Sequence, residues 1–160
     1  MGNKKDIKTN VMRLLDQKKI AYNHYCYADT DAISGIEVAN VLGQNPQQVF
    51  KTLVTQGKSR EHFVFVLPCN KELDLKKAAA ASGEKSIQML KSKELLPLTG
   101  YIHGGCSPIG MKKFFKTFID KSANNLPTII ISAGKIGYQI ELSLDSLSKI
   151  ISFDIADLSI

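Results

Sequence analysis

Lys51 is where chemistry is most readily built in this chain, because it sits inside Val49-Phe50-Lys51-Thr52-Leu53-Val54, a run otherwise suited to a packed strand. An ammonium group is costly to desolvate there, so it needs a partner, water or a ligand. It either holds oxygens of a bound molecule or snorkels to solvent from an edge. Turning it fully outward would also expose Val49 and Leu53, which lie on its side of the strand. The second feature is Gly104-Gly105-Cys106-Ser107-Pro108-Ile109-Gly110. Its amides can approach a ligand without side-chain obstruction, and Ser107 adds a hydroxyl. The alternative is a tight surface turn. It is not a P-loop, because Met111 follows Gly110 where that motif requires lysine.

Other groupings are weaker. Gly134-Lys135-Ile136-Gly137 has the spacing of a nucleic-acid backbone clamp, but between strand-like segments it reads as a hairpin turn. Lys112, Lys113 and Lys116 beside Phe114, Phe115 and Phe118 offer charge and stacking for nucleic acid, although such phenylalanines more often belong to a core. His24 with Cys26, and His103 with Cys106, lack the spacing of common zinc sites, so no metal and no cofactor are expected. There is no Gly-x-Ser-x-Gly elbow, and nothing beside Cys106 would lower its pKa, so it is expected as a buried small residue.

The elements that must position these residues follow from patterning. Ile7, Val11, Leu14 and Leu15 share a helix face between Asp6 and Lys19, and Ile20 to Tyr27 alternates as a strand. Ser34 and Glu37 have capping-box spacing at the start of a helix that ends at Gly43. Asn45-Pro46 predicts a cap and a first helical turn leading into the Val49 strand, which pairs through Gly57 to Glu61 with Phe63 to Leu67. Asp74 caps a helix ending before Gly83; a strand over Ser86 to Leu90 precedes a short helix, Lys91 to Leu96, halted by Pro97. Strands are expected at Phe114 to Ile119, Thr128 to Ser132 and Tyr138 to Leu142, and a last helix near Leu144 to Ile151. Hairpins mixed with helical crossovers predict an α+β fold with a mixed sheet.

The 160 residues suit one domain, 1–160, with flexible ends at about 1–5. The hydrophobic share of 44% with 22% charged residues is that of an ordinary globular chain rather than a disordered one. Twenty-one basic against fifteen acidic residues give +6, which favours a polyanionic partner. Three cysteines and no apolar segment after Met1 predict a reducing cytoplasm. No apolar run approaches the ~18 residues of a membrane span, so no membrane association is expected.

Taken in order, the Val49 to Leu53 run, Leu73-Asp74-Leu75-Lys76-Lys77-Ala78-Ala79, Thr99-Gly100-Tyr101 with the Gly104 to Gly110 loop, and Ser132-Ala133-Gly134-Lys135-Ile136-Gly137 form an ordered set. That set resembles the YbaK/EbsC family, which is related to the editing domain of bacterial prolyl-tRNA synthetases. The likeness runs from about Thr9 to Leu158. It implies a compact, mostly antiparallel, β-barrel-like sheet surrounded by helices. It also implies a trans-editing deacylase that removes cysteine mischarged onto tRNA(Pro), with prolyl-tRNA synthetase as a partner.

By the same resemblance Lys51 is the key active-site residue, and Gly104, Gly105, Ser107 and Pro108 belong to the family's Gly-x-x-x-Pro loop. Tyr27, Thr52, Ser132 and Gly134 match pocket positions. The substrate's own thiol is the implied nucleophile, and water replaces it for other amino acids. Two departures bear on pocket size: Ile136 replaces a common arginine, and the segment from Ala28 to Ser34 is short. Preference for Ala-tRNA(Pro), or a noncatalytic role in binding tRNA or synthetase, are the alternatives.

Overall fold

The computed structural model describes residues 7–160; the flexible start expected at 1–5, together with Asp6, lies outside the described residues. Helix α1 (Asn10–Gln17) is capped by Thr9, whose side chain accepts from Met12 N–H. Val11 and Leu15 are fully buried as expected, whereas Ile7 lies before the helix and is exposed. Strand β1 (Asn23–Cys26) is shorter than the predicted Ile20 to Tyr27 strand. The Ile20 amide instead bonds back to Leu15 O at 3.0 Å, which spends the strand's first residues on closing the helix end.

Helix α2 (Gly35–Leu42) has both hydrogen bonds of the capping box between Ser34 and Glu37. Asn45 then caps a turn: its Oδ1 accepts from Gln47 N–H and its carbonyl from Gln48 N–H, without the helix expected after Pro46. Strands β2 (Phe50–Gly57) and β3 (His62–Pro68) form the expected hairpin, pairing Lys51 with Leu67 and Thr55 with Phe63. Helix α3 (Leu75–Ser82) is capped by Asp74, and β4 (Ile87–Met89) follows.

Helix α4 (Ser92–Thr99) runs through Pro97 rather than stopping there. The carbonyl that Pro97 leaves without a donor is that of Lys93, an exposed residue that water can satisfy, so the proline is tolerated. Next come β5 (Lys116–Asp120), a 3₁₀ turn at Lys121–Asn125, β6 (Ile129–Ser132), β7 (Tyr138–Leu142), α5 (Leu144–Ser148) and β8 (Asp154–Ala156). The last strand has no counterpart in the sequence reading.

The fold is α+β, as expected, and its sheets are mixed and mostly antiparallel. Strands β1-β7-β6 form an antiparallel sheet, and β4-β2-β3-β5-β8 form a second sheet in which β3, β5 and β8 run parallel. A single parallel bridge from Val49 to Ile130 links the two, rather than continuous pairing around a barrel. Period-two alternation on β3 sends Val64 and Val66 into a core shared with Ile129, Ile131, Ile140 and α1, and sends Phe63 and Phe65 to the opposite face, under α3. Each such fully buried side chain contributes roughly 1.5–3 kcal/mol. Among the described residues no helix is long and apolar enough to cross a membrane.

Candidate functional site

Strand β2 changes partners along one edge. At Val49 that edge is bridged to Ile130 of β6, with the Ile130 amide on Gln48 O at 2.9 Å; from Thr55 onward it pairs with β4. Leu90 N–H reaches Val54 O at 3.2 Å. Between these points, at Lys51 to Leu53, the edge has no strand partner among the described residues. The sheets diverge there, and a cavity of about 640 Å³ opens in the gap.

This geometry explains a lysine inside an apolar run. Lys51 is half-buried and lines the cavity, and its ammonium group has no ion pair or hydrogen bond among the described residues. One wall is the start of α2 with Cys69 at the end of β3. The packing is close: Cys69 Sγ lies 3.4 Å from Pro46 O, and only a residue without a side chain fits at Gly35 against it. Burial pushes the Cys69 thiol up, an effect the nearby Lys51 charge opposes. A second wall is Met89, Leu90, Ser92 and Leu95, carried by β4 and α4. Tyr27, buried where its amide bonds Gly137 O at 2.7 Å, closes another side.

The glycine-rich loop is built inward, not laid on the surface. Gly105 through Ile109 are all buried. Tyr101 clamps the loop by donating to Ile109 O at 2.5 Å, and Ser107 Oγ accepts from Ile109 N–H at 3.2 Å. Gly104, at φ 89°, and Cys106 line the cavity. The amides of Gly104, Cys106 and Ser107 make no hydrogen bond within the chain among the described residues. Burial pushes the Cys106 thiol to about 12, consistent with the small buried residue expected rather than an active thiolate.

The structure thus brings Lys51, Tyr27, Thr52, Gly104 and Ser132 to one cavity. Gly105, Ser107, Pro108 and Gly134, also expected at the site, do not line it. Gly105 packs on the backbone of Ile136. Gly134 sits at φ 90° where a Cβ would lie 3.0 Å from both the Tyr101 ring and Val11, so it seats the residue that clamps the loop. Ser132 Oγ accepts from Gly134 N–H at 3.1 Å, and the Thr52 hydroxyl is buried without a hydrogen-bond partner.

Sequence reasoning weighed His103 only as a metal ligand and did not place Cys69, Gln139 or the α4 wall at the site; the four reach the cavity from separate segments. The alternation on β7 gave no hint of Gln139, which falls with Glu141 in the phase opposite to the core residues Tyr138, Ile140 and Leu142. Of the basic and aromatic run, Phe118 is core and Phe114 is 69% exposed. Lys112 Nζ reaches Pro97 O at 3.4 Å and does not line the cavity.

Comparison with known proteins agrees with this architecture. The model of the aminoacyl-tRNA editing domain matches residues 30–150. An Enterococcus faecalis protein named provisionally as a Cys-tRNA(Pro)/Cys-tRNA(Cys) deacylase, EbsC, is 46% identical over 153 residues, covering 95% of this chain and 93% of that protein. The proline–tRNA ligase of Thermosipho melanesiensis is 31% identical over 103 residues, 64% of this chain but 18% of the ligase. A crystal structure described provisionally as a trans-editing enzyme for prolyl-tRNA synthetase shares the fold at a TM-score of 0.80 and 21% identity, over 96% of this chain and 99% of that one. The chain belongs to the aminoacyl-tRNA editing domain family.

Proposed function

We propose that this chain is a single editing unit that deacylates Cys-tRNA(Pro) in trans, in the cytoplasm, with the ester held in the cavity beside Lys51. The observation that carries the reading is the placement on one cavity of a half-buried lysine whose ammonium has no partner among the described residues and of the loop at Gly104 and Cys106 with its unbonded amides. The 46% identity to the E. faecalis protein supports the substrate, and the match to a proline–tRNA ligase supports association with prolyl-tRNA synthetase.

The chemistry needs no enzyme nucleophile. Lys51 and the loop amides stabilise charge that develops on the carbonyl oxygen, in a cavity where such donors act more strongly than in water. The cysteinyl sulfur attacks its own carbonyl carbon, the bond from that carbon to the ribose oxygen breaks, and the thiol proton ends on that oxygen. The products are uncharged tRNA and a cyclic thiolactone, which water opens to cysteine. The cavity's role is to hold the ester in the reactive conformation. Attraction of the +6 chain for phosphates is nonspecific, so tRNA selection rests with the synthetase.

The test is release of cysteine and alanine from the two charged forms of tRNA(Pro), side by side. Faster cysteine release is expected. Faster alanine release would overturn the substrate, and release of neither would overturn the reaction.

A further inference from the structure

Gln139 is only 5% exposed, yet it lines the cavity. Its carboxamide is held by Gln44, the residue after the Gly43 cap of α2, whose Nε2 donates to Gln139 Oε1 at 2.9 Å. That bond occupies the acceptor end of the Gln139 amide. The donor end, Nε2, has no acceptor among the described residues. Gln44 Oε1 is buried without a hydrogen-bond partner. The reversed pairing would put the Gln44 amino group, with two donors, in that buried place, where an unpaired group is costly. The placed orientation thus leaves one acceptor oxygen of Gln44 unpaired among the described residues rather than two donors, and leaves the Gln139 amino end to a ligand. Ser132, the partner of Gln139 in the β6–β7 register, lines the cavity too, as does Thr52 with its unpartnered hydroxyl.

We propose that Gln44 is a positioning residue: its hydrogen bond fixes the Gln139 carboxamide so that the amino end is offered to an oxygen of the bound aminoacyl ester. The inference rests on the deacylase reading and adds a group that contacts the ester and the residue that orients it. A donor selects for the ester carbonyl or a ribose hydroxyl oxygen. The substrate's α-ammonium group, which has only donors, is excluded from this contact.

Gln44→Glu replaces the donor by an acceptor, which turns the Gln139 amide round and presents its oxygen to the ester oxygens. The expected result is a fall of about tenfold in kcat/KM for Cys-tRNA(Pro), the worth of one hydrogen bond lost. Gln44→Leu, which frees the amide without reversing it, gives a smaller fall. In a Gln139→Leu background Gln44→Glu has no further effect on turnover, and the loss in the wild-type background is not matched by a loss of thermal stability, which separates positioning from a merely structural role. Calorimetric binding of a non-hydrolysable cysteinyl-amide analogue of the terminal adenosine, with thermal stability measured alongside, follows the same order.

Wild-type turnover matched by Gln44→Glu would overturn this proposal alone. So would an equal loss in both backgrounds, or losses that track stability. Wild-type protein that neither binds the analogue nor turns over the ester would remove the deacylase reading and this proposal together.

Discussion

Replacing Gly35 by alanine puts a methyl group where the cavity wall has no room for one. A Cβ at Gly35 would lie 2.6 Å from Cys69 Cβ, 3.2 Å from Cys69 Sγ and 3.8 Å from Val49 Cγ1. Carbon atoms prefer about 3.5–4.0 Å, so roughly 1 Å must be found. A side-chain rotation cannot supply it, because Cys69 Cβ is fixed to a backbone whose amide bonds Val49 O at 2.7 Å. The start of α2 must move away from the end of β3, beside Lys51. Overpacking of this kind costs about 1–3 kcal/mol, and the better helix propensity of alanine returns up to about 1 kcal/mol. The net expectation is about 1–2 kcal/mol of destabilisation in urea unfolding, with lower kcat/KM for deacylation because the same shift deforms the cavity. Cys69→Gly added to Gly35→Ala relieves the clash, whereas Cys69→Ala retains the offending Cβ and relieves little of it. A Gly35→Ala protein of unchanged stability, or equal rescue by both Cys69 substitutions, would refute the steric account.

Two further predictions concern titration. Burial alone would raise the Asp120 carboxyl, but hydrogen bonds from the amides of Ser122, Leu158 and Ser159 outweigh it and hold the group below its usual range. With the folded value below the unfolded value of about 3.9, its contribution is present above that pH and is lost as pH falls through the folded value. The urea midpoints of wild type and Asp120→Asn should therefore differ most at pH 7 and converge in acid; a gap independent of pH would contradict this. Cys106, with its thiol near 12, carries about 10⁻⁴ thiolate at pH 8. Iodoacetamide followed by peptide mass spectrometry should modify half-buried Cys26 well before Cys106, and early labelling of Cys106 would contradict its burial.

What was legible in the sequence was local. The capping box at Ser34, the Asp74 cap and the hairpin at Gly57 to Glu61 are written in neighbouring residues, and each forms as read. What was missed depends on contacts distant in sequence. Strand β8 has two exposed residues of three and exists because β5 offers it a parallel edge, anchored where Asp120 bonds the amides of Leu158 and Ser159. Pro97 is tolerated because the carbonyl it frees belongs to an exposed residue, a fact no local rule supplies.

The site follows the same division. Lys51 was conspicuous because its type conflicts with its surroundings, and the structure resolves that conflict through a strand edge left unpaired between two sheets. Gln139 and Cys69 carried no such conflict: Gln139 falls in the polar phase of β7 and Cys69 follows the end of β3, so neither stands out until Gln44 and Gly35 are seen against them.

The most direct test of the account is single-turnover deacylation of Cys-tRNA(Pro) by wild type and Lys51→Ala, with circular dichroism and thermal melting showing that both are folded. Loss of a charge-stabilising donor at the reacting carbonyl predicts a rate lower by roughly 10²-fold or more. A folded Lys51→Ala protein that releases cysteine at the wild-type rate would contradict the account at its centre.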